Sequence, residues 1–283
     1  MSPAFAAALA LCVCSVCAAP SAAQSSAPNP AGTADRVDPR LRPAMGALQR
    51  GDSAQAIHAL QPLAKEGLPQ AQYLLGLAFE NAAEGERDLT AAAAWYRRAG
   101  DVGHLAAQNN LGAMYYDGRG VEQDDAQALR WYGAAAERGF AQAQHNLALM
   151  YGMGRGTAPD PAAMARWLQR AADQGLARSQ AQLGRLYLDG EGVERNPVRA
   201  AQWFERAAQQ GDPWGQYYFG AMLQKGLGVT RDLEGAHDWL LKSASNGNTS
   251  AMRALAIIYE MGLGIPSNPE KAAKWKARAG AAE

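Results

Sequence analysis

The sequence predicts an all-α fold: a right-handed α-solenoid of about six and a half helix–turn–helix repeats with a 36-residue period. Three registers predict it. Tryptophans stand at Trp95, Trp131, Trp167, Trp203, Trp239 and Trp275, one every 36 residues. Gly67, Gly103, Gly139, Gly175, Gly211 and Gly247 keep the same step, as do Phe79, Tyr115, Tyr151, Tyr187, Leu223 and Tyr259. A fixed period of this length marks a stacked array, in which no unit buries its apolar face alone.

At the N-terminus, residues 1–23 carry no charge. The apolar run 4–17 has the length of a signal-peptide core and is too short to span a bilayer. Ser21-Ala22-Ala23 offers small residues for cleavage before Gln24, although no Lys or Arg precedes the core. Leu9-Ala10-Leu11-Cys12 is a loose lipobox, so a lipid anchor is the minor alternative. Cys12, Cys14 and Cys17 all lie in this segment, which leaves the mature chain without a thiol for disulfides or metal. The expected location is periplasmic or secreted.

Residues 24–43, rich in Pro, Ser, Ala and Gly, read as a flexible linker. Residues 44–67, with Asp52, Ala56, Ala64 and Gly67 in register, read as a helical N-terminal cap or half repeat. Residues 68–283 read as six copies of the repeat. After the N-terminus no apolar run reaches the roughly 18 residues of a membrane span. Lys plus Arg (27) balance Asp plus Glu (27), so the basic surplus of a general nucleic-acid binder is missing.

One copy shows the physics. Ala107, Leu111, Met114 and Tyr115 share one face of a helix. Asp117-Gly118-Arg119-Gly120 ends it. Asp124 caps a second helix, and Asp88, Asp160, Asn196, Asp232 and Asn268 stand in the same place. Gly139 ends the second helix. Gly76, Gly112, Gly184 and Gly220 recur inside the first helix, where Gly costs about 1 kcal/mol against Ala. Their recurrence predicts a close neighbour. The register tryptophans are expected to fill the space between hairpins. Gln72, Gln108, Gln144, Gln180 and Gln216 also recur, which assigns them to folding.

Ala107-Gln108, Leu111-Gly112, Tyr115, Gly118-Arg119-Gly120-Val121, Asp124, Ala128, Trp131-Tyr132, Ala135-Ala136 and Gly139 resemble the Sel-1-like repeat family, a relative of the tetratricopeptide repeat. The resemblance covers about residues 68–280. In the first copy Ala82-Ala83-Glu84 replaces the Gly-x-Gly turn. The cysteine pairs of some secreted members are missing. The resemblance implies that one face of each first helix lines a concave groove. On that face stand Tyr73, Asn109, Tyr116, His145, Arg178, Arg185, Trp214, Tyr217 and Arg253. Trp214 is the only tryptophan of seven outside the 36-residue register. It shares its helix face with Tyr217, and Trp, Tyr and Arg are the residues enriched in binding hot spots.

Catalytic, cofactor and metal constellations are not expected. The Gly-x-Gly turns lack the third glycine and the preceding strand of a dinucleotide loop. No two of His58, His104, His145 and His237 stand at i+3 or i+4, and no His-Glu-x-x-His occurs. The acidic groups around Glu84 and Glu122 sit at helix starts, where the dipole explains them. The expected function is a non-catalytic envelope scaffold whose groove holds a peptide segment of another protein. Trp214 and Tyr217 would be its apolar anchors, and Arg178 and Arg185 its carboxylate receivers. Envelope glycan binding is the alternative, and a cell-wall or β-lactam hydrolase the remote one.

Overall fold

The computed structural model describes residues 38–281, and among them every regular element is helical. The expected signal segment and the linker up to residue 37 lie outside the described residues. A short 3-10 turn, Pro39–Leu41, leads into α1 (Arg42–Gln49). The linker expected over 24–43 therefore gives way to helix before its predicted end. Asp38 accepts from the Arg40 backbone N–H at 3.0 Å, proline stands in the first turn of both elements, and Leu41 is buried. Short-range capping and one buried side chain outweigh the loop-like composition.

α2 (Ser53–Lys65) completes the N-terminal cap. The six copies follow as helix pairs. They are α3 (Pro69–Glu80) with α4 (Leu89–Asp101), α5 (Leu105–Asp117) with α6 (Asp125–Glu137), and α7 (Ala141–Met153) with α8 (Pro161–Asp173). Then come α9 (Ala177–Asp189) with α10 (Pro197–Gln209), α11 (Pro213–Lys225) with α12 (Leu233–Ser245), and α13 (Thr249–Met261) with α14 (Pro269–Ala281). The chain divides into two compact units, with the boundary after Pro159. Among the described residues, the first holds α1–α7 and the second α8–α14, and within each unit successive helices pack in chain order.

Four local devices repeat. The predicted caps form: Asp88, Asp124, Asp160, Asn196, Asp232 and Asn268 each accept the backbone N–H three residues on, at 2.8–3.0 Å. The recurring glutamines reach back eight residues to a carbonyl in the last turn of the preceding helix. Gln72, Gln108, Gln144, Gln180 and Gln216 donate to Ala64, Gly100, Ala136, Ala172 and Ala208 at 2.9–3.4 Å. Carbonyls there have no intrahelical partner, so a buried amide satisfies them.

The turn glycines are the third device. Gly118 closes α5 in the left-handed conformation at φ 70°. Gly120, at φ 69°, lies against the Leu89 carbonyl one copy back, leaving no room for a Cβ. The fourth device is a plug inside each hairpin, supplied by the residue after the register tryptophan. A Cβ on Gly76 would sit 2.6 Å from the Tyr96 ring, and on Gly112 2.8 Å from Tyr132. On Gly184 it would sit 2.9 Å from Phe204, and on Gly220 3.0 Å from Leu240. The predicted close neighbour is thus the second helix of the same hairpin. Tyr96, Tyr132, Phe204 and Leu240 are all buried. Trp131 and Trp203 are also buried, and Trp95, Trp167, Trp239 and Trp275 are partly exposed. One helical step turns the indole about 100° from this plug, and Trp131 lies against the preceding hairpin, 3.2 Å from where a Cβ on Gly100 would stand.

Candidate functional site

The nine first-helix residues expected to face a partner have different fates in the two units. In the first, Tyr73 is mostly covered and stacks on the His104 ring, with centroids 4.6 Å apart. Burial, with Glu80 nearby, pushes its hydroxyl up to about 12. His104 caps α5 by accepting the Ala107 N–H at 3.2 Å, and its Nε2 meets Gln70 at 2.9 Å. An Nδ1 that accepts requires an Nε2 that donates, which sets the tautomer. Burial pushes this imidazole down to about 4.

Asn109 accepts from Asn146 Nδ2 at 3.0 Å. Tyr116 lies under the Arg155 guanidinium, 3.6 Å from its ring centroid, and its hydroxyl points to Met153 Sδ at 3.8 Å. Arg155 is fixed by Asp125 at 2.6 and 3.0 Å and by the Tyr116 carbonyl at 3.0 Å. His145 is only 1% exposed, so its assignment to a partner-facing surface is corrected. It sits in α7, which is buried over eight successive residues from Ala143 to Met150. A helix covered on all sides offers no open face, whatever its register.

The second unit differs. Trp214 is 40% exposed. Its place is set from below: Pro213 opens α11, and Asp212 accepts the Gly215 N–H at 2.7 Å. A Cβ on Gly215 would come within 2.6 Å of Ala207. The start of α11 is therefore pressed onto α10, leaving the indole outward. Burial raises the Asp212 carboxyl above its usual range, against the Gly215 N–H and the nearby Arg178 charge.

Trp214 meets Tyr217 edge-on at 6.1 Å and Tyr218 at 6.0 Å. Tyr217 meets Tyr218 at 5.1 Å, and Tyr218 stacks on buried Phe204 at 4.8 Å. Rings thus run continuously from the core to the surface. Ring-on-ring contact of this kind makes an apolar anchor. Tyr218 was missed by the sequence reading. Its signal was present, four residues after Trp214 on the same helix flank.

The arginines are less open than expected. The Arg185 side chain is 14% exposed, with Nη1 3.9 Å from Asp189 and Nε 3.4 Å from Gln182. Arg178 is half covered, and Arg253 is exposed. Among the described residues no three His, Cys, Asp or Glu side chains gather as a metal cluster would. No helix among them is long and apolar enough to cross a membrane.

The Sel1 repeat model matches six times, at residues 69–104, 105–140, 141–176, 177–212, 215–248 and 249–282. Among solved structures, the chain is similar to a protective antigen of uropathogenic Escherichia coli that displays an SLR fold. The identity is 35% and the TM-score 0.77, over 86% of this chain and 53% of that one. It therefore spans about half of that protein's length. It is also similar to a Sel1 repeat protein from Oxalobacter formigenes, at 32% identity and TM-score 0.75, over 85% of this chain and 96% of that one. No curated protein matches the sequence.

Proposed function

The chain belongs to the Sel1 repeat family, and we propose that it is a non-catalytic scaffold of the cell envelope that holds a peptide segment of another protein. The observation that carries this reading is the exposed indole of Trp214 on a repeat scaffold whose other six tryptophans keep the 36-residue register. Trp214 and Tyr217 act as anchors, with Tyr218 behind them. Arg178, together with the less open Arg185, receives a carboxylate of the bound segment. Hot spots of this kind combine a rigid aromatic anchor with a flanking cation. Residues 1–23 act as the export signal, and the mature chain works in the periplasm or outside the cell.

The test uses the chain from Gln24 to capture partners from solubilised envelope, beside the variant Trp214→Ala/Tyr217→Ala. A protein held by the wild type and lost by the variant supports the reading. Equal capture by both removes the anchors from the site. A second reading, sugar stacking on the open Trp214 face, rests on the same exposure. Quenching of tryptophan fluorescence by soluble wall fragments, abolished by Trp214→Ala, would favour it over the peptide.

A further inference from the structure

A different surface carries its own signal. Three residues after the register tryptophan, five of the six copies have Arg or Lys, and each cation lies on its indole. The distances to the ring centroid are 4.3 Å for Arg98 over Trp95, 4.6 Å for Arg170 over Trp167 and 4.7 Å for Arg206 over Trp203. They are 4.1 Å for Lys242 over Trp239 and 4.6 Å for Arg278 over Trp275. In the remaining copy Ala134 takes the position, and Arg130 lies 5.3 Å from Trp131. All five cations are exposed. Arg166, Lys274 and Lys276, on the same helices, pair with carboxylates. Among the described residues, the five stacked cations have no such pairing at ion-pair distance.

Four of them, Arg170, Arg206, Lys242 and Arg278, follow one another through the second unit, one on each of α8, α10, α12 and α14. A cation held against an indole has its stem restrained while its N–H groups stay open to water. The entropy of fixing the side chain is lost on folding and not on binding. The three arginines present the planar fork that matches a carboxylate, and Lys242 adds a point charge.

We propose that this row receives an acidic polypeptide segment, one carboxylate per repeat, on a surface separate from the Trp214 cluster. Charge complementarity carries the choice of occupant. Each stacked cation already covers a face of its indole, so a sugar has less ring to stack on and an anionic glycan keeps mainly its charge. A peptide carboxylate uses the fork as well as the charge.

The experiment uses the full chain and labelled poly-L-glutamate, followed by fluorescence anisotropy at low and physiological salt. Binding by the wild type should weaken with salt, because the groups are exposed. Arg170→Gln/Arg206→Gln/Lys242→Gln/Arg278→Gln should bind about tenfold more weakly or worse, as the loss of four exposed pairings implies. Arg170→Lys/Arg206→Lys/Arg278→Lys keeps the charge and removes the fork, and should fall between the two. It also keeps the test open if the glutamine variant fails to fold by circular dichroism. Trp214→Ala/Tyr217→Ala should bind poly-L-glutamate like the wild type, which separates this surface from the anchor site. No binding by the wild type, or undiminished binding by a folded glutamine variant, overturns the proposal. So does equal affinity of the lysine variant, or anionic vesicles or an anionic polysaccharide bound as tightly as the peptide.

Discussion

In residues 38–159 the first-helix face is occupied from within: Tyr73 lies on His104, Asn109 bonds Asn146, and Tyr116 sits beneath Arg155. In residues 160–281 the corresponding face leaves the indole of Trp214 at the surface. The turns differ in the same sense. In the first unit the arginines of two Gly-Arg-Gly turns reach back one copy, Arg119 to Glu80 and Arg155 to Asp125, each at 2.6 Å. In the second unit those turn positions are Glu191, Leu227 and Leu263. The two regions share caps, glutamines and glycines. Positions that recur in every copy build the stack, and positions that vary either tie neighbouring copies together or remain open.

The largest expected effect tests the shared part. Phe204→Ala in the second unit and Tyr132→Ala in the first should each cost about 3–5 kcal/mol in chemical denaturation, as large-to-small core changes do. A loss confined to one unit would break the claim that both use the same plug.

Acid should act next, and on the first unit. The folded pKa of His104 is held down to about 4, below its ordinary 6.5. The unfolded chain therefore takes up the proton first as pH falls. The stability contributed by neutral His104 is present above about pH 6.5 and is lost between there and pH 4, up to about 3 kcal/mol. His104→Asn keeps a good cap and should flatten that limb of the stability–pH curve. An unchanged limb would assign the acid sensitivity to carboxylates.

Trp167→Ala should cost about 2 kcal/mol, less than the plugs, because part of its ring is already in water. A cost equal to that of Phe204→Ala would return the register tryptophans to the core. The smallest effect is expected for Trp214→Ala, about 1 kcal/mol in the same measurement. A larger loss would make Trp214 a packing residue and dissolve the contrast between the units.

Much of this was readable from the sequence. The hairpins, their caps and the structural role of the glutamines follow from local rules that act within a few residues. The choice between Trp203 and Phe204 as the plug did not follow. Both lie on the inner half of one helix, and only the crossing with Gly184 decides which ring goes in. His145 was misread because register gives a direction and not what stands in that direction. Tyr218 was passed over because the face was drawn at steps of three and seven, while the ring run to Phe204 uses a step of four. The start of α1 was hidden by a composition typical of spacers.

The glutamine latch has a consequence for how such a chain can change length. Each amide reaches the carbonyl eight residues back, and each second turn glycine rests on a residue 31 positions back. Neither consults anything farther away. Removing or duplicating one complete 36-residue block leaves every latch facing an equivalent partner. A change of any other size breaks the latches that span it, because their catches no longer stand eight or 31 residues back. Whole copies are thus the natural currency of variation here, and a new surface arrives one hairpin at a time.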